Sequence, residues 1–384
     1  MCAPPKCSPS RILFTVATMR LGGSEAVILN LLRHIDRGRF EPHLALLERV
    51  GERLPDVPPD IQVHDLGGRR ARHAILALAM VCWKVRPQVV LSTSAYLNSA
   101  VIAAGLLLPT RTTLLTREGE DTNSHTSSRF RFFAYKHAYR RADLVICQSD
   151  HMKEDLVRHF GLAPSKVVRI YNPVDINCIA ALAESEPDPF PEPGPNLVGI
   201  GRFSHEKGFD LLLRCMPLIR AAIPSVRLTL VGDGPDLPAL RLTQRDLDLN
   251  SCVRFVGLRR NPYPFLKHAD LLVLPSRSEG LPNVVLEAVA LGTPVVASNC
   301  TGALNEISSC TRHMRIVNYR TPEALASEII SALSNTGAWP NAGLEPEFEA
   351  RFGVRAVTAQ YESILSHSIR RARQPAPENV DARA

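Results

Sequence analysis

Several features are missing from this sequence of 384 residues, and each absence removes a class of protein. No two of its nine cysteines form a C-x-x-C pair, and they are odd in number and scattered, so neither a disulfide framework nor a zinc site is indicated. No apolar run reaches the roughly 20 residues that a bilayer span requires. The longest, such as Ala74 to Trp83, fall well short, and no transmembrane helix is expected. The run Ile12 to Ala17 is short and passes straight into glycines, as a first β-strand does and a signal peptide does not. Reduced cysteines and no leader point to the cytoplasm. The glycines Gly22 and Gly23 are not spaced as G-x-G-x-x-G, the fingerprint that a nicotinamide-dependent oxidoreductase needs. Helix-turn-helix, zinc-finger and RNP-like patterns are also lacking, which sets nucleic acid aside as a partner.

What is present begins with charge. The net charge of +7 and the pI near 9.0 favour an anionic partner. The excess is uneven: Arg69, Arg70 and Arg72 precede an apolar stretch, and Arg129, Arg131, Lys136, Arg140 and Arg141 are interleaved with Phe130, Phe132, Phe133, Tyr135 and Tyr139. Two readings stay open, a weak peripheral contact with an anionic membrane and an ordinary amphipathic helix with a solvated basic face.

Strand candidates at 11–17, 43–47, 61–65, 88–92, 112–116 and 143–147 alternate mostly with longer helical stretches, the pattern of a doubly wound parallel sheet. After a strand near Val167 to Tyr171 comes Asn172-Pro173, and then Glu186 to Pro195, too rich in proline for a helix. The alternation resumes with strands near 197–201, 226–231, 252–256, 270–274 and 294–298. The expected division is a first Rossmann-like domain over 10–173, a linker over 174–196, a second over 197–345, a carboxyl-terminal helix within 346–370 and a disordered tail over 371–384.

The chemistry concentrates in the second half. Glu279-Gly-Leu-Pro-Asn-Val-Val-Leu-Glu287 sets two carboxylates around a helix start. Pro282 is expected at the first helical position, with the helix reaching Leu291 and the free N–H groups of Asn283, Val284 and Val285 forming an anion site. Gly280 leaves room for a ligand, and carboxylates beside a phosphate suit hydroxyls such as those of a ribose and a sugar. Upstream, the buried strand Leu197 to Ile200 leads into Gly201-Arg-Phe-Ser-His-Glu-Lys-Gly-Phe-Asp210, which places Arg202 and Lys207 outside a strand's carboxyl end, where they can face a diphosphate. The pair Asp246 and Asp248 lies on a helix expected over Leu237 to Leu249, where residues two apart point about 200° apart and cannot clasp one ion. No metal ligand is assigned.

In this order, with Val231-Gly-Asp-Gly-Pro235 and Gly292-Thr-Pro-Val-Val-Ala297, these motifs resemble those of the retaining GT-B glycosyltransferases of family 4. Gly22-Gly-Ser-Glu25 and Asn172-Pro-Val-Asp175 extend the resemblance over nearly the whole chain. It implies two Rossmann-like domains facing a cleft, with the terminal helix crossing back to the first. It also implies a metal-independent transfer of a sugar from a nucleotide sugar, with UDP the expected nucleotide, to a hydroxyl of a glycan or lipid-linked acceptor, in polysaccharide or glycoconjugate biosynthesis. No cofactor beyond that co-substrate is implied. Arg202 and Lys207 would stabilise the leaving diphosphate, Glu279 would hold the donor sugar, and Glu287 the ribose. The amides of Gly280, Leu281, Pro282, Asn283 and Val284 would line sugar and phosphate, with Gly22 and Gly23 opposite. Many members carry a histidine after the fifth strand, but this chain has Arg117-Glu118, which are taken as substitutes on the acceptor side, the alternative being an ordinary surface loop rich in charge, with His125 further on. Thr301 to Glu306 departs from the family's glycine- and proline-richer loop. A nonhydrolysing nucleotide-sugar epimerase and a non-catalytic nucleotide-sugar-binding protein are the alternatives.

Overall fold

The computed structural model describes residues 8–68, 74–109, 112–119, 136–137, 139–319, 321–335, 339 and 343–373. Two parallel sheets organise them. The first has the order β3-β2-β1-β4-β5-β6-β7, from β1 (Ser10–Val16), β2 (Phe40–Leu46), β3 (Gln62–Asp65), β4 (Val89–Thr93), β5 (Thr113–Arg117), β6 (Leu144–Cys147) and β7 (Val167–Arg169). The second has the order β10-β9-β8-β11-β12-β13, from β8 (Asn196–Ile200), β9 (Arg227–Val231), β10 (Val253–Gly257), β11 (Leu271–Leu274), β12 (Val295–Ser298) and β13 (Met314–Val317). Every pairing is parallel, which requires a crossover between neighbours and puts helices on both faces.

Side-chain alternation shows this directly. Ile12, Phe14 and Val16 of β1 are buried with helix α1 (Gly23–His34) on one face, while Leu13 is buried on the other with α2 (Ala74–Val85) and α3 (Ala95–Ala104). In the second sheet Leu197, Leu271 and Val273 pack with α6 (Phe209–Ala222), whereas Val198, Leu272 and Leu274 pack against α5 (Ile176–Glu184), α9 (Asn283–Ala290) and α10 (Gly302–Ser308). Between α3 and α5 lies α4 (Asp150–Arg158), and α7 (Leu237–Asp246) and α8 (Tyr263–Lys267) precede α9. No described helix is long and apolar enough to cross a membrane.

Several expectations need correction. The stretch set down as linker contains α5, because Asp175 caps it by accepting from the Cys178 N–H at 3.2 Å. α7 stops at Asp246, its last residue, and Asp248 turns into the left-handed region at φ 51°, so the second aspartate lies beyond the helix rather than on its face. After α11 (Pro322–Ser334) and α12 (Pro346–Phe352), the last helix, α13 (Val354–Arg373), includes Arg371 to Arg373, which were assigned to the tail. Arg69, Arg70 and Arg72, the run from Glu120 to Tyr135 with His125, and residues 374–384 lie outside the described residues.

The chain crosses between the halves twice, and the crossings are joined. Val174 donates to Phe352 O at 2.8 Å and Val354 to Val174 O at 2.9 Å, a parallel bridge beside which Tyr171 packs on Phe352. Beyond it, Val357, Tyr361, Leu365 and Ile369 of α13 are buried in the first sheet's core with α1. The terminal helix therefore belongs to the first half by packing and to the second by sequence.

Candidate active site

The second sheet's carboxyl edge gathers two loops, and one glycine lets them touch. Gly208 has φ +68°, and a Cβ there would meet Pro275 O at 2.0 Å, so only glycine allows the loop after β8 to lie on the loop after β11. The consequence is an ion pair. Lys207 Nζ donates to both oxygens of Glu279, at 2.7 and 2.9 Å, and Ser276 Oγ donates to the same carboxylate at 2.7 Å. Glu279 is only 8% exposed, and two fixed donors hold it in one orientation. A second clamp locks the same loops: Arg277 reaches Asp210 through two bonds of 2.7 and 2.8 Å and donates to His205 O at 2.7 Å. Burial works against the Asp210 charge, yet Arg277 holds its carboxyl below the ordinary value. Arg202, two residues beyond β8, is exposed.

The helix after Glu279 starts one residue later than expected. Pro282 is its N-cap, in extended conformation, and Asn283 its first residue. Val285 is engaged with Pro282 O at 3.1 Å, so the outward N–H groups are those of Asn283 and Val284, two rather than three. The Asn283 side chain faces the first half: its Nδ2 donates to Gly23 O at 3.1 Å and its Oδ1 accepts from Asn172 Nδ2 at 2.6 Å. Gly23 thus stands across from the α9 start. Gly22 has a different neighbour, since a Cβ there would meet Glu25 Oε2 at 2.3 Å. The Glu25 carboxylate covers the start of α1, and its burial raises its pKa against the pull of the nearby backbone, Arg53 and Arg117.

Arg117 and Glu118 do not form a charged surface loop. Each is 1% exposed at the end of β5, because both are consumed by neighbours. Arg117 Nη2 donates to Asn172 Oδ1 at 2.5 Å, and Glu118 accepts from Tyr139 and from the Gly119 N–H. Asn172 spends its amide on Gln148 Oε1 at 3.0 Å, Leu281 O at 3.2 Å and Asn283 Oδ1. This buried chain of polar groups runs from β5 to the α9 start. It ties the buried Arg117 to Leu281 and Asn283 at the α9 start through Asn172.

Glu287 lies one turn further along α9, half-buried, with Tyr263 hydroxyl 3.5 Å away. Burial raises its pKa above the ordinary 4.5, opposed by Arg53 from the first half and by Tyr263. The sign of the stability effect follows: the native state disfavours the carboxylate, so this group reduces stability as pH rises above about 4, where the unfolded chain ionises. Glu287→Gln is expected to melt above the wild type at neutral pH, with the two converging in acid. Melting curves across that range measure it.

Other joints were not legible from spacing. Glu306 accepts from the Asp150 N–H at 2.9 Å, the His151 N–H at 3.3 Å and Tyr171 hydroxyl at 2.8 Å, so the segment that departs from the family's pattern, folded here as α10, caps α4 of the first half. Arg260 pairs with Asp56 on the other side of the molecule. The halves are thus held together on either side of the α9 start.

The sequence profile described as Glycosyltransferase Family 4 matches residues 21–177, and that described as Glycosyl transferases group 1 matches residues 194–335. The chain belongs to glycosyltransferase family 4, in the GT-B architecture. An uncharacterized family relative of Methanocaldococcus jannaschii is 30% identical over 187 residues, 47% of this chain and 45% of its own length. The chain therefore spans about half of that relative. The Campylobacter jejuni N-acetylgalactosamine-N,N'-diacetylbacillosaminyl-diphospho-undecaprenol 4-alpha-N-acetylgalactosaminyltransferase is 24% identical over 74% of this chain and 80% of its own. Anabaena HepE, solved with UDP-glucose, superposes with a TM-score of 0.78 at 19% identity, over 93% of this chain and 99% of its own, which establishes the shared fold.

Proposed function

We propose that this family member transfers a sugar, with retention, from a UDP-sugar to a hydroxyl of a glycan or a lipid-linked acceptor in polysaccharide or glycoconjugate synthesis. The observation that carries the reading is the Lys207–Glu279 pair beside the start of α9, at the carboxyl edge of the second sheet and across from Gly23. The UDP-glucose of HepE and the diphospho-undecaprenol in the name of the Campylobacter relative support the choice of donor and acceptor.

The chemistry has simple requirements. As the bond from the anomeric carbon to the diphosphate oxygen breaks, its electron pair leaves with that oxygen and the sugar becomes cationic. Arg202, Lys207 and the Asn283 and Val284 amides meet the growing negative charge, a task that in this reading needs no resident metal. Glu279 holds sugar hydroxyls and lies near enough to steady the ring, Gly280 and Leu281 offer backbone to sugar and phosphate, and Glu287 takes the ribose hydroxyls. The acceptor oxygen attacks on the face the diphosphate leaves, and its proton passes to the departing phosphate oxygen. No side-chain nucleophile is required.

A thermal-shift series with UDP, UDP-sugars and GDP tests the donor. Ligand at a hundredfold over its Kd adds about 2.7 kcal/mol to stability. UDP compounds should give the larger rise, and a clear GDP preference overturns the assignment. Release of UDP only when acceptor is present separates transfer from epimerisation, and binding without turnover identifies a non-catalytic protein.

A further inference from the structure

The first half carries an apolar face that no described element covers. On α2, Leu76, Met80 and Trp83 recur at helical spacing and are 67%, 67% and 57% exposed. The turn after α3 adds Leu106 at 81% and Leu107 at 45%, and Trp83 Nε1 donates to Leu107 O at 2.9 Å, fastening the two into one surface. Exposed apolar groups scattered singly mean little, but a contiguous set on adjoining elements marks an interaction site.

Charge identifies the partner. Between Asp65 and Glu118 the sequence has no aspartate or glutamate, while Arg69, Arg70, Arg72, Lys84, Arg86 and Arg111 all fall there. Lys84 and Arg86 are exposed at the carboxyl end of α2, and the three arginines directly precede its amino end in sequence. An apolar face whose chain flanks carry only positive charge fits a surface that is apolar within and negative at its boundary. Trp83, with its indole N–H already satisfied, is the side chain suited to that boundary.

We infer that the α2 face, with Leu106 and Leu107, docks on an anionic lipid bilayer. The bilayer takes up the five apolar side chains, and Lys84 and Arg86 answer the headgroups at about fivefold in partitioning per charge near the surface. The helices α2 and α3 cover the sheet face opposite α1 and α13, so docking leaves the α9 start and the cleft unobstructed. The site is separate from the donor residues, and its failure would leave the proposed transfer untouched.

Vesicle co-sedimentation of the full chain tests it, with phosphatidylglycerol in phosphatidylcholine against phosphatidylcholine alone. Binding to the anionic vesicles is expected at low salt, at least tenfold weaker near 0.5 M, where the Debye length is only a few ångströms. The triple variant Leu76→Ser, Met80→Ser, Leu106→Ser should lose at least tenfold while keeping its melting temperature and its response to UDP. Trp339→Phe leaves Trp83 as the only tryptophan. Its emission should then be quenched by brominated lipid, a readout that holds even where the triple variant folds poorly. Equal binding to neutral vesicles, undiminished binding by the triple variant, or unquenched Trp83 overturns the inference. So does a dimer that the triple variant abolishes without any vesicle binding, since the face would then serve a second copy of the chain.

Discussion

Lys207→Ala is expected to lower kcat by about 10²- to 10³-fold, the size seen when one preorganised group that stabilises a leaving charge is removed. The lysine does two jobs in the structure, and the variant separates them. Toward the donor it supplies charge, and toward the protein it neutralises Glu279, which is 8% exposed and otherwise keeps only Ser276 Oγ from the same cluster. Removing one partner of a buried pair typically costs about 3–5 kcal/mol, because the other charge is stranded. The lower end applies here, since the Lys207 side chain is 25% exposed and water can reach the vacancy. The double variant Lys207→Ala, Glu279→Ala removes the stranded charge. It should recover much of the stability in denaturant melts and none of the activity. Arg202→Ala is expected to act in the same direction with little effect on stability, as its side chain is exposed. Rates near wild type for both single variants would refute the leaving-group role.

The fold was legible because parallel strands buried on both faces announce themselves as apolar runs, as in Leu197 to Ile200 or Val295 to Ala297. The strand Met314–Val317 escaped for the same reason. It is four residues long, carries Arg315 and follows Thr311, Arg312 and His313, so no apolar run marks it; pairing with β12 makes it a strand. The site shows a similar division. Lys207 and Glu279 were each recognisable from loop position, but their direct pairing depends on Gly208 lying on Pro275, a contact between segments far apart in sequence. Arg277, which fixes those loops through Asp210, has no local signature at all. Arg117 and Glu118 show the reverse case. Charged residues after a strand also allow the reading of a solvated loop, and the structure removes that alternative, because Asn98, Tyr139 and Asn172 form a polar interior that takes them in.

Asn172 gives that interior its consequence. It is 3% exposed and lies where the chain leaves the first half, with its Oδ1 on Arg117 and its Nδ2 directed to Gln148, Leu281 and Asn283. Asn172→Leu keeps the volume and removes every bond, leaving the buried Arg117 guanidinium without this acceptor and three oxygens without this donor. A loss of about 3–5 kcal/mol is expected, from a stranded charge rather than from lost packing, and urea unfolding measures it. Asn172→Asp separates the two ends of the side chain. A carboxylate still accepts from Arg117, with a stronger charge-assisted bond, but it cannot donate to Leu281 O or Asn283 Oδ1. The aspartate variant should therefore be clearly more stable than the leucine variant and still bind UDP more weakly, because the α9 start has lost its anchor from the first half. A merely structural asparagine predicts that affinity tracks stability through both variants. An aspartate variant that binds UDP as the wild type does would show that the α9 start holds its position without Asn172.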